Sequence, residues 1–560
     1  MPAIDLGASL LDQCNAIWAA TKANEQAELN LRKVPPVVCL WDGEMRLQHL
    51  VQAEYSCSFE IIDGDTGAYE LRHPFDHPVG QWLWDEQGRL DRGEKRNINI
   101  TVEYCGSRLG GLLEYVELEQ DEDGDQVVVA RFASDYERLK WYSIWANPYF
   151  PEWIQWPQIW LGAGPIPWLL SVALDLQIMR EAGSYWALPS DPMDPNQRGP
   201  IETAQATWST VVKPISFVDS MASGALWGIL ISRFKNFHDV AKALMEDGEI
   251  TCVIRPYLEG DPEPWPGANL RHGTRVVSFE DRSGTYTGTS HGGTIWDGLV
   301  RTVNEFVGDM IDSTEYLVTD TSIPPDYYIP GSKRTQKELP FVVWRDGEET
   351  GLTGYRYRRT PSKGIQVVTG GHSMPGVNEA ISAAIQMAGD LIAAMIGVPP
   401  VGGALDAILA PLYTDALLAW MVARSSSRAQ NQGWTRYFEY FQEGSNKAYT
   451  LSSLIVLRAG IWATRAFDAT TFSAGDGAPY LIGESGHVWL GDRAGYTIRG
   501  DTSGRIYMDR ISKVRLSWSR DEPVEWTLTV GDDRALQDPV ARAWERIEAI
   551  ISALQQLGVV

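Results

Sequence analysis

Few residues of this 560-residue chain could do chemistry, and each has an unreactive reading beside it. Gly483-Glu484-Ser485-Gly486-His487 comes nearest to a nucleophile motif. A nucleophile elbow needs glycine two residues to either side of the serine, and His487 takes the second of those places. A β-turn is the simpler reading. His73-Pro74-Phe75-Asp76-His77 gathers two imidazoles and a carboxylate, a set that can ligate a metal. Prolines in and after it bar a helix there, which removes the i,i+4 alignment of the histidines, so a polar loop is expected. Asp121-Glu122-Asp123-Gly124-Asp125 could attract calcium but lacks the twelve-residue loop closed by glutamate, and reads as a hairpin turn. His291-Gly292-Gly293 echoes an oxyanion loop with no partner to place beside it. There is no P-loop, G-x-G-x-x-G or H-E-x-x-H. A glycosidase pair of carboxylates stays open, because 73 acids offer many pairs and a sequence carries no distances. From these motifs no catalytic residue, metal ligand or cofactor site is assigned.

Charge narrows the partners. Lys and Arg total 48 against 73 Asp and Glu, a net charge of −25. Such a surface repels phosphate and anionic lipid, which argues against nucleic-acid recognition as the main task. It does not forbid lining a channel through which DNA slides without sticking. Apolar residues at 44% and charged residues at 22% fit an ordinary globular protein of several domains. Cys14, Cys39, Cys57, Cys105 and Cys252 are odd in number, widely spaced and without C-x-x-C, so buried free thiols from a reducing cytosol are expected. Asp5 and Asp12 with no basic n-region argue against a signal peptide.

The elements follow from periodicity. Ile4, Leu6, Leu10, Leu11, Ile17 and Trp18 predict a helix over 4–30, closed by Pro35-Pro36. Strands are predicted at 37–41, 56–62, 97–104, 112–118 and 126–132, with turn signals at intervals of about ten residues. They read as an antiparallel barrel or sandwich over 34–135. Helices are expected at 168–182, 234–245 and 296–309, strands at 249–257 and 275–279, and a polar loop at 190–200. Strands return at 451–457, 480–483, 488–490, 496–499, 514–518 and 526–530. Val540, Trp544, Ile547, Ile551 and Leu554 step by 4, 3, 4, 3 and predict an amphipathic C-terminal helix over 539–557, docked on its own domain.

Two stretches stand out by composition. Trp141, Trp145, Trp153, Trp156, Trp160 and Trp168 fall within residues 141–168, among five prolines. They can stack on sugars or fill a seam between domains or subunits. Six aromatics suit the seam better, since a carbohydrate site needs only a few. Residues 376–423 carry Glu379, Asp390, Asp406 and Asp415 as their only charges, and Pro399-Pro400 and Gly402-Gly403 split them into two apolar helices of about 20 residues. Each is long enough to cross a bilayer. Every aspartate would cost roughly 2.5–3.5 kcal/mol at a membrane centre, so a permanent transmembrane hairpin is disfavoured. Burial in an oligomer, or shelter followed by release onto a membrane, remains.

Arg108-Leu109-Gly110-Gly111, Tyr136 to Lys140, Ala146-Asn147-Pro148 and Trp156-Pro157-Gln158 resemble a minor tail protein family of long-tailed phages infecting actinobacteria. So do Leu457 to Gly460 with Trp462, and Val530-Gly531 followed by Asp538-Pro539 and a helix. The family resembles the baseplate hub of contractile phages, and carries no catalytic signature. The resemblance implies an α+β, multidomain chain with two antiparallel β-barrel-like domains, an α+β middle region and an inserted apolar helical hairpin. The divisions are an N-terminal helix (1–33), a first barrel-like domain (34–145), a Trp/Pro-rich and α+β region (146–330), strands leading to the second barrel (331–375), the hairpin (376–430), the second barrel-like domain (431–535) and the C-terminal helix (536–560).

It also implies a homotrimer in the virion's tail tip, assembled in the host cytoplasm. Its expected partners are the distal tail protein, the tape measure protein, other minor tail or central fibre proteins, and the host membrane on ejection. Ile381, Ile385, Leu391, Ile392, Met395, Leu405, Ile408, Leu412, Leu417, Trp420 and Met421 are the expected lumen plug or membrane contact. The six tryptophans of 141–168 are the expected interface aromatics. The competing expectations are a tail-associated cell-wall hydrolase or carbohydrate-binding protein, and a stand-alone acidic membrane-active protein.

Overall fold

A computed structural model of the chain describes residues 7, 9–120, 124–148, 150, 153–157, 159–182, 206–222, 225, 227–282, 315–316, 342–347, 350–370, 382, 386, 420–441, 464, 467–484, 486–502 and 506–531. The chain divides into two compact units. The first comprises Met1–Arg301, Glu315–Tyr357 and Ala469–Asp533; the second comprises Thr302–Thr314, Arg358–Asp468 and Arg534–Val560.

The first unit starts with helix α1 (Leu10–Lys33), capped by Ser9, whose hydroxyl accepts from the Asp12 amide at 3.3 Å. Strands β1 (Val37–Asp42), β2 (Leu47–Leu50), β3 (Ser56–Ile62) and β4 (Ala68–Pro74) follow. Helices α2 (Pro78–Trp84) and α3 (Glu86–Asp91) lead to β5 (Ile98–Tyr104), β6 (Ser107–Gln120) and β7 (Gln126–Ser134). The strands expected from the sequence are present. Leu47–Leu50 and Ala68–Pro74 add two more, because their pairing partners, and not their own alternation, hold them extended. Gln120 pairs with Gln126 across the acidic turn.

Beyond β7 lies an α+β lobe. Its strands are β8 (Trp160–Pro165), β9 (Thr210–Val212), β10 (Trp227–Ser232), β11 (Ile250–Pro256) and β12 (Arg275–Asp281). Its helices are α4 (Ile166–Ala182), α5 (Phe217–Ala222) and α6 (Phe237–Gly248). The Asn236 side chain accepts from the Asp239 amide at 2.8 Å and starts α6 three residues after the point its periodicity indicates. The lobe has its own core, around Leu170, Leu174, Trp208, Val211, Phe237 and Val277.

Residues of the C-terminal third return to the first sheet. Strands β13 (Glu315–Tyr316), β14 (Val343–Arg345) and β15 (Gly354–Thr360) precede the return. In chain order after the second unit's strands come β19 (Phe467–Ser473), β20 (Arg493–Thr497), β21 (Ile506–Ser519) and β22 (Glu525–Gly531). Fourteen strands form one sheet, whose main path runs β15-β19-β22-β21-β3-β4-β7-β6-β5-β1-β2. This corrects the expectation of two separate barrels: no closed barrel forms among the described residues, and β21 pairs antiparallel with β3 from Lys513↔Ile62 to Ser519↔Ser56. The edge that β3 would otherwise leave open is satisfied by a strand some 450 residues away. The two blocks also share one core, in which Trp526 lies 5.7 Å from both the Tyr104 and Trp489 rings.

Two expected strands are turns. Tyr480–Gly483 and Val488–Leu490 make only an isolated Ile482↔Val488 bridge. Their apolar character comes from burial, since Leu481, Ile482, Val488, Trp489 and Leu490 all lie in the shared core.

In the second unit β16 (Gln366–Gly370) runs between β17 (Trp420–Arg424), antiparallel, and β18 (Glu439–Phe441), parallel. Helix α7 (Ser426–Gln432) is capped by Ser425. The second arm of the apolar hairpin, expected to stay helical through residue 424, has thus given way to strand by Trp420. Trp420 and Met421 pair with Gly370 and Thr369. An apolar run has no period strong enough to tell helix from strand there, and the edge of β16 decides it. In the first arm Ser382 and Gln386 are helical, and the Gln386 amide donates to Ser382 Oγ at 3.1 Å. Ile381, Ile385, Leu391, Ile392, Met395, Leu405, Ile408, Leu412 and Leu417 lie outside the described residues. So do the expected loop at 190–200, the helices at 296–309 and 539–557 and the strand at 451–457. No helix among the described residues is long and apolar enough to cross a membrane.

Candidate assembly surface

A 3-10 turn, Asp135–Trp141, leaves the sheet and opens the tryptophan-rich stretch. Its foundation is a buried network. Arg275 Nε lies 3.2 and 3.3 Å from the two Asp135 carboxylate oxygens, and Arg275 Nη2 donates to Asn99 Oδ1 at 2.8 Å. Asp135 and Arg275 are each 3% exposed. Gly110 makes room for them: a Cβ there would stand 2.0 Å from Asp135 Oδ2. Arg108 reaches from the same strand to Glu103, Asp261 and the Pro256 carbonyl. Lys140 and Lys242 meet at Asp65, at 3.1 and 2.9 Å.

Burial alone would raise the Asp65 and Asp261 carboxyls. The hydrogen bonds and charges of Lys242 and Lys140 at Asp65, and of Arg108 at Asp261, outweigh it, so both stand below the ordinary aspartate value. A lowered carboxyl stabilises the fold above its unfolded value, near 3.9, and the contribution disappears as pH falls through the folded one. Acid titration from pH 5 to pH 2 is therefore expected to release the α+β lobe from the sheet progressively. Hydrogen exchange of β11 and β12 would record the release. Protection unchanged down to pH 2 would contradict it.

On this foundation the chain builds a pinned loop. The Gln155 carboxamide oxygen accepts from the Asn147 amide at 2.8 Å, while its nitrogen donates to the Asn147 and Phe150 carbonyls at 3.1 and 3.0 Å. Asn147 Nδ2 donates to the Trp156 carbonyl at 2.6 Å. The loop is thus ordered by its own side chains and presents apolar groups outward. Trp141 is 81% exposed, Trp153 74% and Trp156 73%, with Phe150, Ile154 and Leu161 also exposed. Trp145, Trp160 and Trp168 are half-buried. Trp145 stacks 4.0 Å from the Arg180 guanidinium and lies 5.2 Å from Phe234, and Trp168 meets Phe217 edge-on at 4.9 Å. The six tryptophans therefore separate into three that build the base and three that face out. Glu152 is the one charged side chain in the sequence from 143 to 168.

The reactive-looking motifs do structural work. His73 is fully buried, its ring nitrogens 2.9 and 3.1 Å from the Gln52 and Pro74 carbonyls, and His77 caps α2. The Glu484 amide donates to Ser107 Oγ at 2.8 Å, and His487 Nδ1 accepts from the Leu481 amide at 3.0 Å. Burial pushes the Glu484 carboxyl up, against the pull of Arg255. Ser485, His291 and residues 121–123 lie outside the described residues. No group of His, Cys, Asp and Glu suited to a metal occurs among the described residues. All five cysteines are free; Cys57, Cys105 and Cys252 are buried, Cys39 half-buried, and Cys14 is exposed, against expectation, because α1 buries none of its residues.

Residues 37–532 match the family described as Siphovirus ReqiPepy6 Gp37-like protein. The chain belongs to that family. It is 30% identical to minor tail protein Gp28 of Mycobacterium phage L5, and 29% identical to Gp28 of Mycobacterium phage D29, each across 99% of this chain and 100% of the relative. Among solved structures, the tail protein from Neisseria meningitidis MC58 overlays with a TM-score of 0.40 at 11% identity, covering 90% of this chain and 98% of that one.

The chain is accordingly a structural minor tail protein of the siphophage type, a virion component. Some of the residues that carried the resemblance make contacts with one another, while Leu457 to Gly460, Trp462 and Asp538-Pro539 lie outside the described residues. Arg108 to Gly111 packs against Asp135 and its arginine network, and Asn147 is tied to Trp156. In this minor tail protein the described residues among them pin the loop and its foundation. Sequence reasoning missed the arginine seams, because Arg275–Asp135 and Arg108–Asp261 pair residues more than a hundred positions apart and a charge gives no sign of its partner.

Proposed function

We propose that this minor tail protein is the trimeric hub at the tail tip, assembled in the host cytoplasm. Three copies surround the lumen, mate with the distal tail protein, anchor other minor tail or central fibre proteins, and close the tube below the tape measure protein. Adsorption opens it for the tape measure and DNA. The residues from Ile381 to Leu417 named above are the proposed plug. The observation that carries the assembly reading is the pinned loop with Trp153 and Trp156 nearly three-quarters exposed. Rigid, desolvatable tryptophans on a preorganised loop are what protein interfaces use as anchors.

A sugar-binding reading would use the same indoles. Sugar recognition also needs polar side chains aimed at hydroxyls, and the Asn147 and Gln155 amides of this loop are bonded to its own backbone. The hub reading is tested by native mass spectrometry of the full chain, alone and with the distal tail protein, and by reconstruction of the tail tip. Three copies around the lumen are expected. A monomer, or copies on peripheral fibres that bind or cleave peptidoglycan, would overturn the reading in favour of a cell-wall protein.

A further inference from the structure

The second unit carries a surface unlike the rest of the molecule. Residues 361–370 and 420–441 hold four Arg and Lys and one acid, Glu439, in a chain whose net charge is −25. Lys363, Arg424 and Arg436 are exposed, and Arg428 is buried. The register of the three-stranded sheet sets side chains on one face. Val422, Val368 and Phe441 align across it, and Arg424, Gln366 and Glu439 align beside them. Residues two apart on a strand share a face, so both rows lie on the same side. The opposite residue of β16, Val367, is buried, which leaves the two rows as the open side.

Exposed aromatic side chains also fill the 433–438 turn that leads into β18. Trp434 is 91% exposed, Tyr437 73%, Phe438 55%, Val422 54% and Phe441 45%. The Arg424 guanidinium lies 5.9 Å from the Phe438 ring centroid. Arg436 Nη1 donates to the Gly433 carbonyl at 2.8 Å and holds the turn that presents Trp434.

From this geometry we infer that the open face of the β17-β16-β18 sheet, with the 433–438 turn, docks on an anionic phospholipid bilayer. Two properties select that partner. Trp and Tyr beside Phe are the side chains that settle at the boundary between headgroups and acyl chains. The bases around them supply attraction to a negative leaflet, which the acidic remainder of the chain would oppose. A purely protein partner would explain the aromatics without the reversal of local charge sign. The proposal goes beyond the hub reading and does not require three copies.

The test uses the full chain with vesicles of pure phosphatidylcholine and vesicles containing one-third phosphatidylglycerol, in a co-sedimentation assay at low and high salt. Binding to the anionic vesicles alone, weakened by salt, is expected. Lys363→Gln with Arg424→Gln should lower partitioning by about thirtyfold, the effect of removing two bases near a charged leaflet. Trp434→Ser with Phe438→Ser should lower it at least tenfold, and both exposed-site pairs should leave the thermal unfolding midpoint unchanged. Equal binding to neutral vesicles, no binding at all, or binding that neither pair weakens would overturn the proposal. Tighter binding to DNA than to the vesicles, lost in the same variants, would overturn it in favour of a nucleic-acid surface. Because partitioning is read for whatever oligomer the chain forms, its failure leaves the trimer measurement untouched.

Discussion

Replacing Trp153 and Trp156 together by serine is expected to abolish incorporation into tails while leaving the fold intact. Both indoles are almost three-quarters exposed, so the monomer loses little packing when they go. Exposed substitutions of this kind usually change stability by no more than about 0.5 kcal/mol. At an interface the same residues would be central anchors. Truncating such an anchor costs about 2 kcal/mol or more, so the pair should weaken association at least several-hundredfold. The measurement is the amount of variant protein in purified particles, beside its melting temperature in isolation. Trp145→Ser should behave oppositely: it removes a packed indole from under Arg180 and beside Phe234, so it lowers stability first. If the Trp153 and Trp156 variant assembles normally, the loop is not an assembly contact.

The second large effect belongs to Asp135. Substitution by alanine leaves Arg275 in the interior with the Gly273 carbonyl and Asn99 as hydrogen-bond partners and no counter-charge in direct contact. Breaking a buried pair by removing one partner costs about 3–5 kcal/mol. The loss should fall on the attachment of the α+β lobe, since Asp135 stands on the 3-10 turn, Asn99 on β5 and Arg275 on β12. Hydrogen exchange should show β11 and β12 deprotected ahead of the main sheet. Adding Arg275→Met removes the stranded charge and should recover most of the stability. A single substitution costing under about 1 kcal/mol, or a double no better than the single, would show that the pair is not what secures the lobe. The expected loss also predicts fewer pinned loops, because the loop grows from the same turn. The two experiments together therefore separate a surface that recognises a partner from the base that shapes it.

Much of the fold was legible because local rules and burial agree. Ile98, Ile100, Val102 and Tyr104 alternate in the sequence and are all buried in β5. Periodicity marked β3, β7, β11, β21 and β22, and the proline spacing placed α4 after the tryptophan stretch. The same periodicity could not show that Asn99 and Thr101, on the other face of β5, would be buried as well. The Arg275 network covers Asn99 on that face, and Arg275 lies 176 residues away in the chain.

The tryptophan cluster was legible as a set, since six tryptophans among prolines are conspicuous in any sequence. Which of them face outward was not, because exposure depends on Phe234, Arg180 and Phe217 arriving from elsewhere in the chain. The aromatic, basic face of the second unit was overlooked for a related reason. Val368, Val422 and Phe441 come from three separated segments, and only the register of β16 with β17 and β18 lines them up.

Composition, family-bearing motifs and strand periodicity were thus determined by the sequence alone, because each depends on residues close together in the chain. The single fourteen-stranded sheet, the strand at Trp420 and the turns at Tyr480–Gly483 and Val488–Leu490 were decided by tertiary structure. In each case a backbone edge or an apolar side chain was satisfied by a partner far away in sequence. Strand identity is a property of pairs, and local chemistry specifies only one member of each.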